Sequence, residues 1–203
     1  ILFPKGRVSP VQQRQMTTVN ADNVRCIALE GTFDDCQDRV KDMFNDAAFR
    51  AEVGLGAVHS INWGRVMAQI VYYAVAAARL ASPERPIDVS VPTGNYGNVL
   101  AGYCAKRMGL PIARLGVATN RNDILTRFLE LDDMSIQPVE PSWAPSMDIQ
   151  ISSNFERYLF EAMDRDGPAV DAVMRDFRAS GRLSLAQGVW QLCHGDFQAY
   201  GLD

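Results

Sequence analysis

The run Val89-Ser90-Val91-Pro92-Thr93-Gly94-Asn95-Tyr96-Gly97-Asn98 holds the residue types best suited to grip an anion. An apolar strand ends at Val91, a short Gly/Asn turn follows, and a helix begins at Asn98. Glycines at 94 and 97 carry no Cβ, so backbone N–H groups there can close on a ligand. The start of a helix adds unpaired N–H groups and the positive end of its dipole. Asn95 and Asn98 offer side-chain amide donors or left-handed backbone angles. Behind the turn, the small residues Ala101 and Gly102 let the helix lie close to its sheet. The chemistry is the cradling of a phosphate or carboxylate. It is not that of a nucleotide loop, because no Gly-Lys-Ser/Thr follows. A dinucleotide fingerprint needs a third glycine and an acidic residue about 20 positions on, and neither is present. On spacing alone, an ordinary strand-to-helix turn that contains two glycines remains the competing reading.

Other reactive residue types are scattered. His59-Ser60 sets a base beside a nucleophile, but adjacent residues rarely align for proton transfer, and no G-x-S-x-G elbow is present. Ser60 is expected to cap the helix that follows. Asn62 and Arg65 stand at the start of that helix. They either face a cleft, with Arg65 able to fork onto a phosphate, or simply shape the helix start. Cys193-His194-Gly195-Asp196 has no catalytic context around it, and Gly54-Leu55-Gly56 lacks the strand that a dinucleotide turn follows. Tyr72-Tyr73 reads as core. Asp34-Asp35 and Asp132-Asp133 read as solvated helix ends rather than metal ligands. Cys26, Cys36, Cys104 and Cys193 show no C-x-x-C spacing, so no zinc site and no disulfide framework is expected. Reduced, mostly buried thiols and a cytoplasmic setting are expected instead.

The elements that must position the loop follow from periodicity and caps. Ile1-Leu2-Phe3 is a strand end, and Ser9, Pro10 and Gln12 open a helix to Thr18. Val24–Leu29 is a strand, and Thr32 with Asp35 opens a helix whose apolar face is Phe33, Cys36, Val40 and Phe44. This half alternates strand and helix as a parallel α/β layer does. A long apolar helix over Ile61–Leu80 implies burial on several sides. Strand Ile87–Val91, helix Asn98–Met108 closed by Gly109, and strand Ile112–Val117 make a βαβ unit. Helices follow over Asp123–Leu131, from a Ser153-Asn154-Phe155-Glu156 capping box to Asp164, and over Ala169–Ala179. Residues 1–55 are therefore expected to form part of a smaller domain. Residues 56–203 are expected to form part of a larger one, with the loop at 93–98 and a helical extension over 123–203.

The 203 residues carry 20 Lys+Arg and 24 Asp+Glu, a net charge of −4. That balance argues against nucleic acid or an anionic membrane as a partner. The most apolar stretch, Val66–Ala81, falls short of the about 20 residues needed to span a bilayer. Nothing resembles a signal peptide. Only three lysines are present, Lys5, Lys41 and Lys106, beside seventeen arginines.

Pro92–Asn98, its small-residue helix and Met108-Gly109-Leu110-Pro111 together resemble threonine synthases. Those are tryptophan-synthase-β-like (fold type II) pyridoxal-phosphate enzymes. Phe3–Gln12, Glu30–Gln37, His59–Arg65 with Gln69–Tyr73, Ala118–Asp123, Met147–Ile149 and Ser153–Arg157 are similar to further family blocks, in family order. The resemblance implies an open, twisted, mostly parallel sheet flanked by helices. It also implies conversion of O-phospho-L-homoserine and water to L-threonine and phosphate, with pyridoxal 5′-phosphate as electron sink. It assigns Gly94, Asn95, Tyr96, Gly97 and Asn98 to the cofactor phosphate. Tyr96 stands where the family more often has Phe, which keeps the ring and is expected to be harmless. The family's Schiff-base lysine lies in a His-Gly-Pro-Thr-type motif that precedes everything in this sequence, and its later segment at the pyridine nitrogen is also missing. The chain thus looks like a central portion, about half of such an enzyme, expected to fold but to be inactive alone. The alternatives are a non-catalytic anion-binding module, or a related phospholyase that releases a keto acid. Oligomeric state is not legible.

Overall fold

The protein is described from a computed structural model, which places residues 1–56 and 62–201. The first strand, β1 (Leu2–Pro4), pairs in parallel with β2 (Ile27–Leu29) across α1 (Pro10–Thr17). Ser9 caps α1 and Gln12 returns the bond, a complete capping box. Thr32 and Asp35 do the same for α2 (Phe33–Asn45). In α2 the expected apolar face holds, but only Cys36 is fully buried. A short helix, α3 (Ala47–Val53), ends at Gly54 in the left-handed region, where a side chain would strain the turn.

The second unit is built on three parallel strands in the order β3 (Ile87–Pro92), β4 (Ile112–Thr119), β7 (Phe197–Gly201). Between β3 and β4 runs α5 (Gly97–Arg107), packed on its outer side by α4 (Trp63–Leu80). After β4 come α6 (Ile124–Leu131), β5 (Met134–Ser135), α7 (Phe155–Ala162), α8 (Gly167–Ser180), β6 (Arg182–Leu183) and α9 (Gln187–Asp196). β5 and β6 form a two-residue antiparallel pair. The core lies between the sheet and these helices, with Val99, Leu115, Val117, Phe128, Tyr158 and Phe177 almost wholly buried.

Four sequence expectations change here. The apolar helix is not buried on several sides. α4 buries only Val66, Tyr73 and Ala77. Trp63, Met67, Val71 and Val75, at four-residue intervals, are 44–57% exposed, and Tyr72 is 63% exposed. Composition made every face of α4 apolar, but among the described residues a single face is covered. Tyr73 is therefore core and Tyr72 is not.

Ser60 lies outside the described residues with His59, and the cap of α4 is Asn62, whose Oδ1 accepts from Gly64 N at 2.8 Å. The expected capping box at Ser153 does not form either. The cap of α7 is Asn154, in right-handed helical geometry and without a side-chain cap bond. The segment after Gly181, expected to belong to a helical extension over 123–203, contains α9 but also the third strand of the main sheet. Gly181 stops α8, at φ +72°.

Candidate functional site

The loop at 93–98 sits between the C-terminal end of β3 and the N-terminus of α5, the end of a parallel sheet where ligands bind. Thr93 N donates to Ala118 O at 2.8 Å, which ties the loop to β4 as β3 ends. The left-handed residue is Tyr96, at φ +67° and ψ 0°, rather than Asn95 or Asn98. A non-glycine residue held there is strained by about 1–2 kcal/mol. The strain is offset by the ring, which is 1% exposed. Tyr96 meets Phe155 edge-on at 5.2 Å and Phe197 at 5.3 Å between centroids.

A left-handed residue within a turn can bring successive N–H groups to one side, an arrangement suited to anions. Among the described residues, the N–H groups of Gly94, Tyr96, Gly97 and Asn98 meet no protein acceptor. Gly97 and Asn98 add the positive end of the α5 dipole. No carboxylate stands in the loop to oppose an anion.

Two other walls hold the loop. From α4, the Tyr73 hydroxyl lies 2.8 Å from Asn98 Oδ1 and 2.9 Å from Asn98 O. Burial pushes the Tyr73 phenol well above its ordinary value, so it remains a neutral donor. Gln69, one turn earlier, brings Oε1 within 4.0 Å of the position a Gly97 Cβ would take. The third wall is the stretch from Ser146 to Asn154. A Cβ on Gly94 would stand 3.3 Å from Met147 Cα and from Ser146 O. Ser152 Oγ donates to Gly94 O at 2.6 Å, and Asn154 Nδ2 donates to Asn95 O at 3.0 Å.

The five loop residues are thus brought together. Asn62 and Arg65 lie one to two turns before Gln69 on α4, both exposed. Arg65, Gln69 and Tyr73 fall at four-residue intervals and share a helix face. Sequence reasoning missed Gln69, Ser152 and Asn154 as loop contacts, and read Tyr73 only as core. Spacing gave no signal for Ser152, which is 58 residues from its partner.

The remaining reactive groups are occupied elsewhere. Burial pushes the Cys193 thiol up to about 12. His194 Nδ1 lies 3.1 Å from Leu129 O, and its ring stacks on Trp190. Asp35 serves the α2 cap. Asp34, expected to be solvated, is half-buried instead, with its carboxyl raised to about 6 by desolvation. Asp133 accepts from Arg127 at 2.8 Å. All four cysteines are unbridged.

This fold, with its Gly/Asn loop at a strand's carboxyl end, belongs to a class: part of the fold type II, tryptophan-synthase-β-like α/β architecture. A crystal structure of pyridoxal-phosphate-bound threonine synthase from Brucella melitensis superposes with a TM-score of 0.84 and 52% identity, over 99% of this chain and 43% of that one. The yeast threonine synthase structure gives 0.80 and 40%, over 100% and 42%. In sequence, threonine synthase of Pseudomonas aeruginosa is 53% identical over 190 residues, 94% of this chain and 40% of that protein. No family model matches the chain. Over nearly all its length the chain is similar to threonine synthases, and it spans about two fifths of the length of these relatives.

Proposed function

We propose that this chain is the phosphate-holding portion of a threonine synthase, a lyase that forms L-threonine and phosphate from O-phospho-L-homoserine and water with pyridoxal 5′-phosphate. The observation that supports the reading is a left-handed turn at Tyr96 opening a helix, in a loop whose glycines leave N–H groups uncovered, within a sequence 53% identical to a threonine synthase. The residues fit a phosphate monoester. Among the described residues, four backbone N–H groups there meet no protein acceptor, and Gly94 and Gly97 leave no Cβ between them and a ligand.

When bound, the cofactor supplies an electron sink for carbanions formed on the substrate. The part played by this chain is binding and orientation. Gly94, Asn95, Tyr96, Gly97 and Asn98 hold the phosphate by charge-assisted bonds, and the α5 dipole favours the dianion. Tyr73 fixes Asn98, and the Tyr96 ring fixes the turn. Asn62 and Arg65 are the proposed substrate contacts. Arg65 extends the helix face that carries Gln69 and Tyr73 to the loop.

Among the described residues, no hydrogen bond or ion pair joins Lys5, Lys41 or Lys106 to the loop. Lys5 pairs with Glu30 at 2.7 Å, and Lys106 donates to Ala113 O at 2.8 Å. We assign no proton transfer to this chain and expect it to be inactive alone. The separate β1–β2 sheet supports reading residues 1–55 as part of a smaller cofactor-side domain and 56–203 as part of a larger one. No helix among the described residues is long and apolar enough to cross a membrane. Four unbridged thiols and a biosynthetic reaction suit the cytoplasm.

The test is binding by the isolated 203-residue chain. Pyridoxamine 5′-phosphate should bind and pyridoxamine should not, with inorganic phosphate competing. Equal binding of both amines, or threonine formation by the chain alone, would overturn the proposal. The lysine placements also favour a second reading, a non-catalytic phosphate-binding module. Threonine, a keto acid or no product from the intact protein separates threonine synthase, phospholyase and module.

A further inference from the structure

We infer that Ser152 and Asn154 are positioning residues for the phosphate loop, acting through the carbonyl side of its peptides. The inference rests on the loop being a phosphate site, as proposed above. A peptide group is planar, and its C=O and N–H point in opposite directions. Fixing the oxygen of one peptide therefore fixes where its N–H is aimed.

The Gly94 carbonyl accepts from Ser152 Oγ at 2.6 Å. That sets the plane shared with the N–H of Asn95. The Asn95 carbonyl accepts twice from Asn154, from Nδ2 at 3.0 Å and from N at 3.1 Å. That sets the plane shared with the N–H of Tyr96, which then points away from Asn154 and meets no acceptor among the described residues. Asn154 is fully buried and Ser152 is 2% exposed, so water does not compete for these bonds. The geometry is preorganised before any anion arrives.

The segment that does this is itself held. Phe155 N donates to Ser152 O at 2.9 Å, and Arg157 N donates to Asn154 O at 3.1 Å. Asn154 in right-handed helical geometry, which spoiled the capping box, is what lets both its N–H and its side-chain amide converge on one carbonyl. Ser153 stands between the two and has no part in this. Its Oγ is buried and makes no hydrogen bond among the described residues.

The experiment uses the 203-residue chain and three variants, Ser152→Ala, Asn154→Ala and Ser153→Ala. Two readouts are taken. In ligand-free protein, 15N relaxation of the 94–98 amides should show exchange broadening in Ser152→Ala and Asn154→Ala, and none in Ser153→Ala. This reports loop order whether or not a ligand binds. In titrations, pyridoxamine 5′-phosphate and inorganic phosphate should each bind about 5-fold more weakly in the first two variants, the equivalent of one hydrogen bond, and unchanged in the third. Ser152→Thr, which keeps the hydroxyl, should recover the wild-type relaxation.

Unbroadened loop amides in both alanine variants overturn the positioning role. So does broadening that Ser153→Ala shares, because that is general loosening. If Asn154→Ala fails to fold, Ser152→Ala alone still decides. A wild-type chain whose 94–98 amides do not respond to phosphate defeats the functional reading instead, and leaves the relaxation result to stand or fall by itself.

Discussion

Tyr96→Phe should make the protein more stable. The hydroxyl of Tyr96 is buried and makes no hydrogen bond among the described residues. A hydroxyl moved from water to such a place costs about 1–3 kcal/mol. Its removal leaves a gap of a single oxygen, and the ring keeps its edge contacts with Phe155 and Phe197. The variant should therefore gain about 1–2 kcal/mol, the desolvation cost less a small packing loss. In a chain of this length each kcal/mol moves the melting midpoint by about 2–4 °C. Urea unfolding followed by tryptophan fluorescence measures it, with an unchanged m-value as the sign that the unfolded state is unaltered. Phosphate affinity should stay the same, because the loop binds through its backbone. A less stable variant would refute the reasoning: the hydroxyl would then hold a bond, for example through a buried water.

Asp34→Asn should stabilise the protein above pH 6 and do little near pH 4. Burial, with Asp38 and Asp35 adding repulsion, lifts the Asp34 carboxyl from 3.8 to about 6 against the Gln150 N–H bond and Lys41. The folded state thus binds more protons than the unfolded one between those values, so stability falls as pH rises through that window. The full cost at neutral pH is about 3 kcal/mol, and partial exposure reduces it to about 1–2 kcal/mol. Asparagine keeps an acceptor for the Gln150 N–H, and an equal gain at both pH values would sink the argument. Gly102→Ala should destabilise the protein and weaken phosphate binding together. Its Cβ would fall 2.7 Å from Tyr73 Cε1 and 2.9 Å from Leu115 Cδ2. That overpacking costs about 1–3 kcal/mol, against about 1 kcal/mol gained in helix propensity. It also displaces the ring that anchors Asn98, so an alanine variant with wild-type affinity would contradict the Tyr73 wall.

Much of the fold was legible because its signals are local. Ser9 with Gln12 and Thr32 with Asp35 close the capping boxes their spacing predicts. Gly109 and Gly181 sit at φ +96° and +72° just past their helices. What failed was set by distant partners. β7 reads Phe-Gln-Ala-Tyr-Gly, without a β-branched residue. It is a strand because β4 offers an edge, and because Gly116 leaves room for the Tyr200 ring. For α4, periodicity reports which residues are apolar, not which of them something covers. At 153–156 a sequence with the form of a capping box was diverted, because the Asn154 amide finds a better acceptor in Asn95 O.

The same competition explains the loop. Among the non-glycine residues of the loop, intrinsic preference assigns left-handed angles to Asn95 or Asn98, as asparagine tolerates them best after glycine. The structure assigns them to Tyr96, because the ring has a ready socket. Phe155, Tyr158, Phe197 and Tyr103 form an aromatic cluster beneath the turn, with Tyr158 and Phe197 centroids 4.9 Å apart. Seating the Tyr96 ring there buries far more apolar surface than the backbone strain costs. The seated ring determines φ, and φ determines where the N–H groups converge. Phe155 belongs to both supports: its ring meets Tyr96 from below, while its N–H closes on Ser152 O and steadies the segment that grips the Gly94 and Asn95 carbonyls. The loop at 93–98 is therefore shaped less by its own glycines than by residues 152–158 and 197. The glycines permit the close approach, and the later residues decide its shape.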